Sequence, residues 1–291
     1  MPTIASELPT FLDDLEHRVK LRPATIRAYR CDLQAAATVL VDALSTITPR
    51  QIEEVVVGGQ PEQATIARRM SSLKRFFGWC VRHELCPTNP VERCESVQVA
   101  HGMPRPIPRG DREPLEQRFD TLREPYRTIF WLLRETGMRV GEALALRLGD
   151  VDLTPSREIL FIQEAKNGRP RPVQIGDRFT PKTVRRLRKL LKDRRGEPSY
   201  APLFRSNRQS QLTYGAVLYQ WSQLCRTLGL VDPTDAPHYT IHQLRHTRGS
   251  ELVEQGYALD IVQHVLGHRD PRSTQIYAEL HPYQVRTALE H

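Results

Sequence analysis

Apolar residues recur at the spacing of a helix face along most of the chain and alternate as in a strand at one place only. The first stripe is Phe11, Leu12, Leu15 and Val19, which predicts a helix from Thr10 to Lys20. Thr25 stands where an N-cap belongs, ahead of a second stripe formed by Ile26, Tyr29, Leu33, Ala37 and Leu40. A third segment, from Ala64 to Leu85, puts Ile66, Met70, Leu73, Phe77 and Val81 on its inner side. Arg68, Arg69, Lys74 and Arg75 fall mostly on the other side, which reads either as a solvated face or as a helix laid along DNA phosphates. Pro87, Pro90, Pro104, Pro106 and Pro108, with Gly102 and Gly110, then break the helical pattern. They predict an all-helical first domain over residues 1–97, a linker over 98–110 and a second domain over 111–291.

The second domain opens with helical segments around 113–123 and 125–135, then a helix from about Arg139 that buries Val140, Leu144 and either Leu146 or Leu148. The strand signal follows: Ile159, Phe161 and Gln163 alternate with Leu160 and Ile162 before Asn167-Gly168, a strong hairpin turn. Pro181 occupies a first helical position and starts a very basic helix over 181–195, for which solvated and DNA-facing readings stand level. Helices are predicted over 212–228, 242–255, 259–266 and 272–290. The fold class is therefore mainly α with a small β-sheet: an all-helical N-terminal domain and an α+β C-terminal one.

Composition narrows the partners. No run approaches the roughly 20 apolar residues of a membrane helix, and the acidic N-terminus lacks a signal-like apolar stretch, so a cytoplasmic location is expected. Five scattered cysteines make no disulfide framework. Cys80, His83 and Cys86, with Cys94 beyond, can be drawn as a metal site. The plainer reading is preferred, because Cys80 continues the apolar stripe and no second tight pair completes a tetrahedral set. The net charge of +8 matters through its distribution: residues 1–100 hold 12 basic and 12 acidic side chains, against 30 and 22 in 101–291. That balance suits a polyanion, nucleic acid first.

The last fifty residues hold the candidate chemistry. His242 and Arg245 are three apart in IHQLRHT and so share a helix side. Leu266, Gly267 and His268 follow, and Tyr277 comes nine residues after His268. Singly, each has an ordinary explanation: a locally bonded histidine, a solvated arginine, a half-buried tyrosine.

Taken in order, TGMRVGEAL, a lysine beside a hairpin tip, HxLRH, LGH and a terminal tyrosine closely resemble the tyrosine recombinase (phage integrase) family, Xer- and Cre-like. The resemblance spans the whole second domain, and more loosely it likens the first to the family's SAM-like core-binding domain. It implies that Arg139 and Arg245 clamp the scissile phosphate and that Lys166 is the hairpin lysine. It implies likewise that His242 is the first histidine of HxLRH, His268 the position filled by His or Trp, and Tyr277 the nucleophile. Glu142 matches the acidic residue supporting the site from behind, and His246 the second histidine. Lys166 competes with a plain surface reading, and Arg169 and Arg171 across the turn are substitutes for it or phosphate contacts.

The chemistry is coherent apart from the resemblance. Two guanidiniums can hold both non-bridging oxygens of an anionic phosphodiester and stabilise the charge growing at phosphorus. A tyrosine of pKa about 10 needs help with deprotonation, and a histidine suits that task. A lysine among arginines can protonate the leaving 5′-oxygen. No metal, ATP loop or other cofactor is called for.

The resemblance thus implies a two-domain clamp on double-stranded DNA carrying specific recombination sites. It would act in integration, excision or resolution through a 3′-phosphotyrosyl intermediate within a synaptic tetramer. A second recombinase or an accessory protein is a further partner it allows, and a mobile element a natural setting. Two alternatives stay open: relaxation of supercoils in the manner of a type IB topoisomerase, and a DNA-binding architectural factor that keeps the fold without cutting.

Overall fold

The computed structural model describes residues 1–21, 23–95, 103–163, 170–267 and 273–275. The chain divides into two compact units, Met1–His101 and Gly102–His291.

The first unit is built from α1 (Ile4–His17), α2 (Pro23–Ala37), α3 (Pro49–Val57) and α4 (Gln63–Arg82). α1 begins six residues before the apolar stripe suggests. Thr3 caps it, its N–H donating to Ser6 Oγ (3.0 Å) while Ser6 N–H donates to Thr3 Oγ1 (3.2 Å), a reciprocal pair that satisfies two end donors. α2 also starts early, at Pro23, whose fixed φ suits a first helical turn, so Thr25 lies inside the helix and is not its cap. α3 has no counterpart in the periodicity reading: its nine residues bury only Ile52 and Val56, too few to declare a stripe. Its Thr48 and Gln51 form the same kind of capping pair as α1.

α4 supplies most of the core. Ile66, Leu73 and Phe77 are buried as the stripe predicts, joined by Phe76, Trp79 and Cys80. Phe11 meets Phe76 edge-on at 5.3 Å between ring centroids and Trp79 at 5.6 Å. Each fully buried ring contributes on the order of 2–3 kcal/mol through area removed from water. Burial pushes the Cys80 thiol up to about 12, so it packs as a small apolar group.

The second unit centres on α6 (Tyr126–Thr136), whose Ile129, Phe130, Leu132 and Leu133 are buried. Around it pack α5 (Arg109–Phe119), α8 (Pro181–Asp193) and α10 (His242–Glu254). α7 (Val140–Ala145), α9 (Tyr214–Thr227) and α11 (Leu259–Leu266) complete the helices. The sheet is antiparallel in the order β1 (Val151–Asp152), β2 (Ile159–Ile162), β3 (Arg171–Gln174). The alternation at 159–163 is realised as buried Leu160 and Ile162 against exposed Phe161. Ile162 pairs with Arg171, and the turn expected at Asn167-Gly168 between them lies outside the described residues. β1 is two residues long and leaves no mark in the pattern. Among the described residues no helix is long and apolar enough to cross a membrane.

Candidate active site

The two candidate arginines, Arg139 and Arg245, meet at one turn of backbone. α6 ends at Gly137 in the left-handed region (φ 66°), where a Cβ would stand 2.7 Å from Leu266 Cδ2 and 3.2 Å from Arg248 Cγ. A side chain there would be strained at this φ and would press on Leu266 of α11 and Arg248 of α10. The Gly137 carbonyl accepts a hydrogen bond from Arg245 Nη1 at 2.8 Å, and Arg245 is only 3 % exposed.

Two residues on, Arg139 is the N-cap of α7. Its backbone N–H donates to Glu142 Oε2 (3.1 Å) and its Nη1 to Glu142 Oε1 (2.9 Å). The three-residue spacing therefore has a physical purpose: the helix folds the carboxylate back onto the arginine at its own start. Glu142 is buried, and burial alone would push its carboxyl up. Arg171, then the Arg139 N–H and guanidinium, outweigh burial and hold it below the ordinary glutamate range.

Arg171, a phosphate-contact candidate on sequence grounds, has its guanidinium in the interior. Its Nη2 donates to Glu142 Oε2 at 3.1 Å and to the Leu266 carbonyl at 3.3 Å. Burial lowers its pKa from the ordinary arginine value, with Glu142 pulling in the opposite sense.

His242 opens α10 and is exposed, its ring centroid 4.9 Å from that of His246 with the planes at 88°. Burial first and Arg245 second depress the His246 pKa, which favours a neutral imidazole. The upstream chain is tied to the same helix: Ile107 N–H donates to Thr247 Oγ1 (2.9 Å), and Gln243 Nε2 to the Arg105 carbonyl (3.1 Å). Behind α10, Arg134 forks onto Glu251 and its Nε donates to Glu116 Oε1 at 2.6 Å. Arg112 Nη1 adds a second cation on Glu251 at 2.7 Å. Sequence reading misses this network, because Arg134 and Glu251 are 117 positions apart and no local spacing links them.

Glu142 is thus joined to Arg139, Arg245 to the carbonyl two residues before Arg139, and His242 to His246 on the helix that carries Arg245, whereas Lys166, Arg169, His268 and Tyr277 lie outside the described residues. The chain is described up to Gly267, one residue before His268, and buried Thr274 stands three before Tyr277.

The basic residues of α4 divide. Arg68 Nη1 bonds to buried Asp32, which also accepts from Ser72 Oγ at 2.7 Å. Arg69 Nη1 donates to the Val56 and Gly58 carbonyls, both at 3.0 Å. Lys74 and Arg75 stay exposed, Arg75 lying 5.8 Å from the Tyr29 ring centroid. In α8, Lys182 and Arg186 pair with Asp120, and Arg188 with Asp177 and Glu158, while Arg185, Lys189 and Lys192 are exposed.

Residues 113–283 match the Phage integrase family, and residues 8–84 the phage integrase N-terminal SAM-like domain. The tyrosine recombinase XerC of Chromohalobacter salexigens is 31 % identical over 274 residues, 89 % of this chain and 86 % of that protein. XerC of Roseiflexus castenholzii is 30 % identical over 302 residues, covering 98 % and 92 %. Among solved structures, a lambda integrase(75-356) dimer bound to a COC′ core site superposes with a TM-score of 0.71 at 22 % identity, covering 93 % of this chain and 96 % of that one. XerH site-specific recombinase in a post-cleavage complex with palindromic difH substrate gives 0.74 at 19 % identity, covering 98 % and 84 %. These relatives favour recombination over the relaxing and non-cutting alternatives. The chain belongs to the phage integrase family and is a site-specific tyrosine recombinase, an enzyme that breaks and rejoins DNA strands.

Proposed function

We propose that Tyr277 attacks a phosphate of double-stranded DNA held between Arg139 and Arg245. The tyrosine oxygen bonds to phosphorus and its proton passes to His242. The bond from phosphorus to the 5′-oxygen breaks, and Lys166 protonates that oxygen. His268 donates to a non-bridging oxygen, and Glu142 and His246 support the set. The products are a 3′-phosphotyrosyl ester and a free 5′-hydroxyl. Because the ester conserves the energy of the broken link, a partner strand's 5′-hydroxyl can reverse the step without a nucleotide.

The observation that carries this reading is the convergence on Gly137. One arginine bonds to its carbonyl and the other follows two residues later, clamped by a buried carboxylate. Guanidiniums fixed in this way are preorganised for charge developing at phosphorus, so the site need not reorganise during the reaction. In the first unit Lys74 and Arg75 are the better candidates to meet the DNA backbone, since the Arg68 guanidinium is paired with Asp32 and that of Arg69 with the Val56 and Gly58 carbonyls. Known relatives are seen as a dimer on a core site and as a tetramer on a Holliday junction. A synaptic tetramer is the matching proposal for this chain, with residues 278–291 docking on a neighbour.

A nicked duplex that traps the cleaved state tests the chemistry. The parent protein should give a denaturant-resistant protein–DNA complex and Tyr277→Phe none. Arg245→Ala should slow complex formation by about 100- to 1000-fold, the usual cost of one donor to a developing oxyanion. Covalent complex from Tyr277→Phe would overturn the assignment.

A further inference from the structure

Arg171 is the one side chain among those described that joins three separate parts of the proposed site. It stands on β3, opposite Ile162 and five positions after Lys166 in the sequence. Through Nη2 it reaches Glu142, the carboxylate that clamps Arg139. Through the same nitrogen it reaches the carbonyl of Leu266, two residues before His268. Segments 29 and 95 positions away meet on a single guanidinium.

Its surroundings are shaped to hold it. Gly267 has φ 69°, and a Cβ there would lie 2.4 Å from both Cζ and Nε of Arg171. The guanidinium therefore lies against bare backbone, where a side chain at position 267 would be strained and would crowd it. Its Nε and Nη1 are buried and find no hydrogen-bond partner among the described residues. A site chosen for maximal hydrogen bonding would not leave them so, because buried donors are normally paired. What this placement secures is the relative position of the three segments.

We propose that Arg171 is a positioning residue for the cleavage step: it locks β3, the Arg139 clamp and the end of α11 into one rigid arrangement, and does not itself grip DNA. A lysine in its place would keep the charge but not the planar guanidinium seated against Gly267. The inference rests on the proposed roles of Lys166, Arg139 and His268, and the experiment separates the two. Single-turnover cleavage of the nicked duplex is followed for the full-length parent, Arg171→Gln, Glu142→Gln and the double variant, with the dissociation constant for intact duplex and the melting temperature of each. Tyr277→Phe and Lys166→Ala run alongside. Covalent product from the former, or undiminished cleavage by the latter, would break the catalytic reading and leave the Arg171 result to be judged by itself.

Arg171→Gln should slow cleavage by about 100-fold, the scale of a misplacement near 1 Å, while binding duplex within about threefold of the parent. The double variant should be no slower than the worse single by more than about threefold, because both changes break one linkage. Cleavage at the parental rate, binding lost in step with cleavage, or losses that multiply in the double variant would each overturn the proposal. If Arg171→Gln melts below the assay temperature, Arg171→Lys replaces it under the same criteria.

Discussion

In the first unit the centre is a cluster of rings, Phe11, Phe76, Phe77 and Trp79, whose attraction is large but has little directional demand. In the second, the seam behind α10 is a set of charges, Arg112 and Arg134 on Glu116 and Glu251, each fixed in distance and angle. Apolar packing loses stability roughly with the volume removed. A buried ionic set behaves otherwise: removed whole and replaced by apolar groups it costs little, and removed in part it leaves a stranded charge. The first design suits a scaffold. The second suits the back of an active site, where the helix carrying His242 and Arg245 must sit in one register and no other.

Phe76→Ala tests the scaffold side and should have the largest effect, lowering unfolding free energy by about 3–5 kcal/mol. Denaturant titration reads this as a lower midpoint, and a shift under 1 kcal/mol would mean that the ring cluster is not the principal core. Glu251→Ala tests the seam by leaving Arg134 and Arg112 without their shared acceptor, with an expected loss of about 3 kcal/mol. The contrast sharpens if Glu251→Ala is combined with Arg134→Met and Arg112→Leu. That triple variant should recover most of the lost stability in the same titration, whereas an apolar core never gains from further truncation.

The smallest effect concerns Glu142. Its carboxyl ionises below the ordinary range in the folded protein, so its contribution to stability is complete above the unfolded value of about 4.3 and fades as pH falls through the lower folded value. Stability measured from pH 6 down to 3 should therefore fall less steeply in Glu142→Gln than in the parent. Parallel curves would show that the carboxylate gains nothing net from Arg171 and Arg139.

Much of this was legible in the residue pattern, for identifiable reasons. The α4 stripe shows because twenty residues give five turns of periodicity, and the β2 alternation because Leu160 and Ile162 are buried while Phe161 is not. α3 and β1 were hidden by their brevity. At the site, Glu142 was legible through the family resemblance, and the structure supplies its physical reason: a helix start brings position three back to the cap. Arg171 could not be placed that way. Its partners Glu142 and Leu266 become neighbours only when the hairpin, α7 and α11 have packed, and a basic residue by a turn reads as a surface contact until then. The same holds for Arg68, whose partner Asp32 is 36 positions away on another helix.

Gly137 has a consequence for when the protein becomes dangerous to DNA. Its carbonyl anchors Arg245 only while α10 lies against α6, and its missing side chain is what admits Leu266 and Arg248 to the same spot. On the proposed mechanism, a nascent or partly melted chain in which α10 has come away lacks an anchored Arg245 even if Tyr277 is intact. On that mechanism strand scission depends on the packing of α10 against α6, and Gly137 is one point where that dependence is built in.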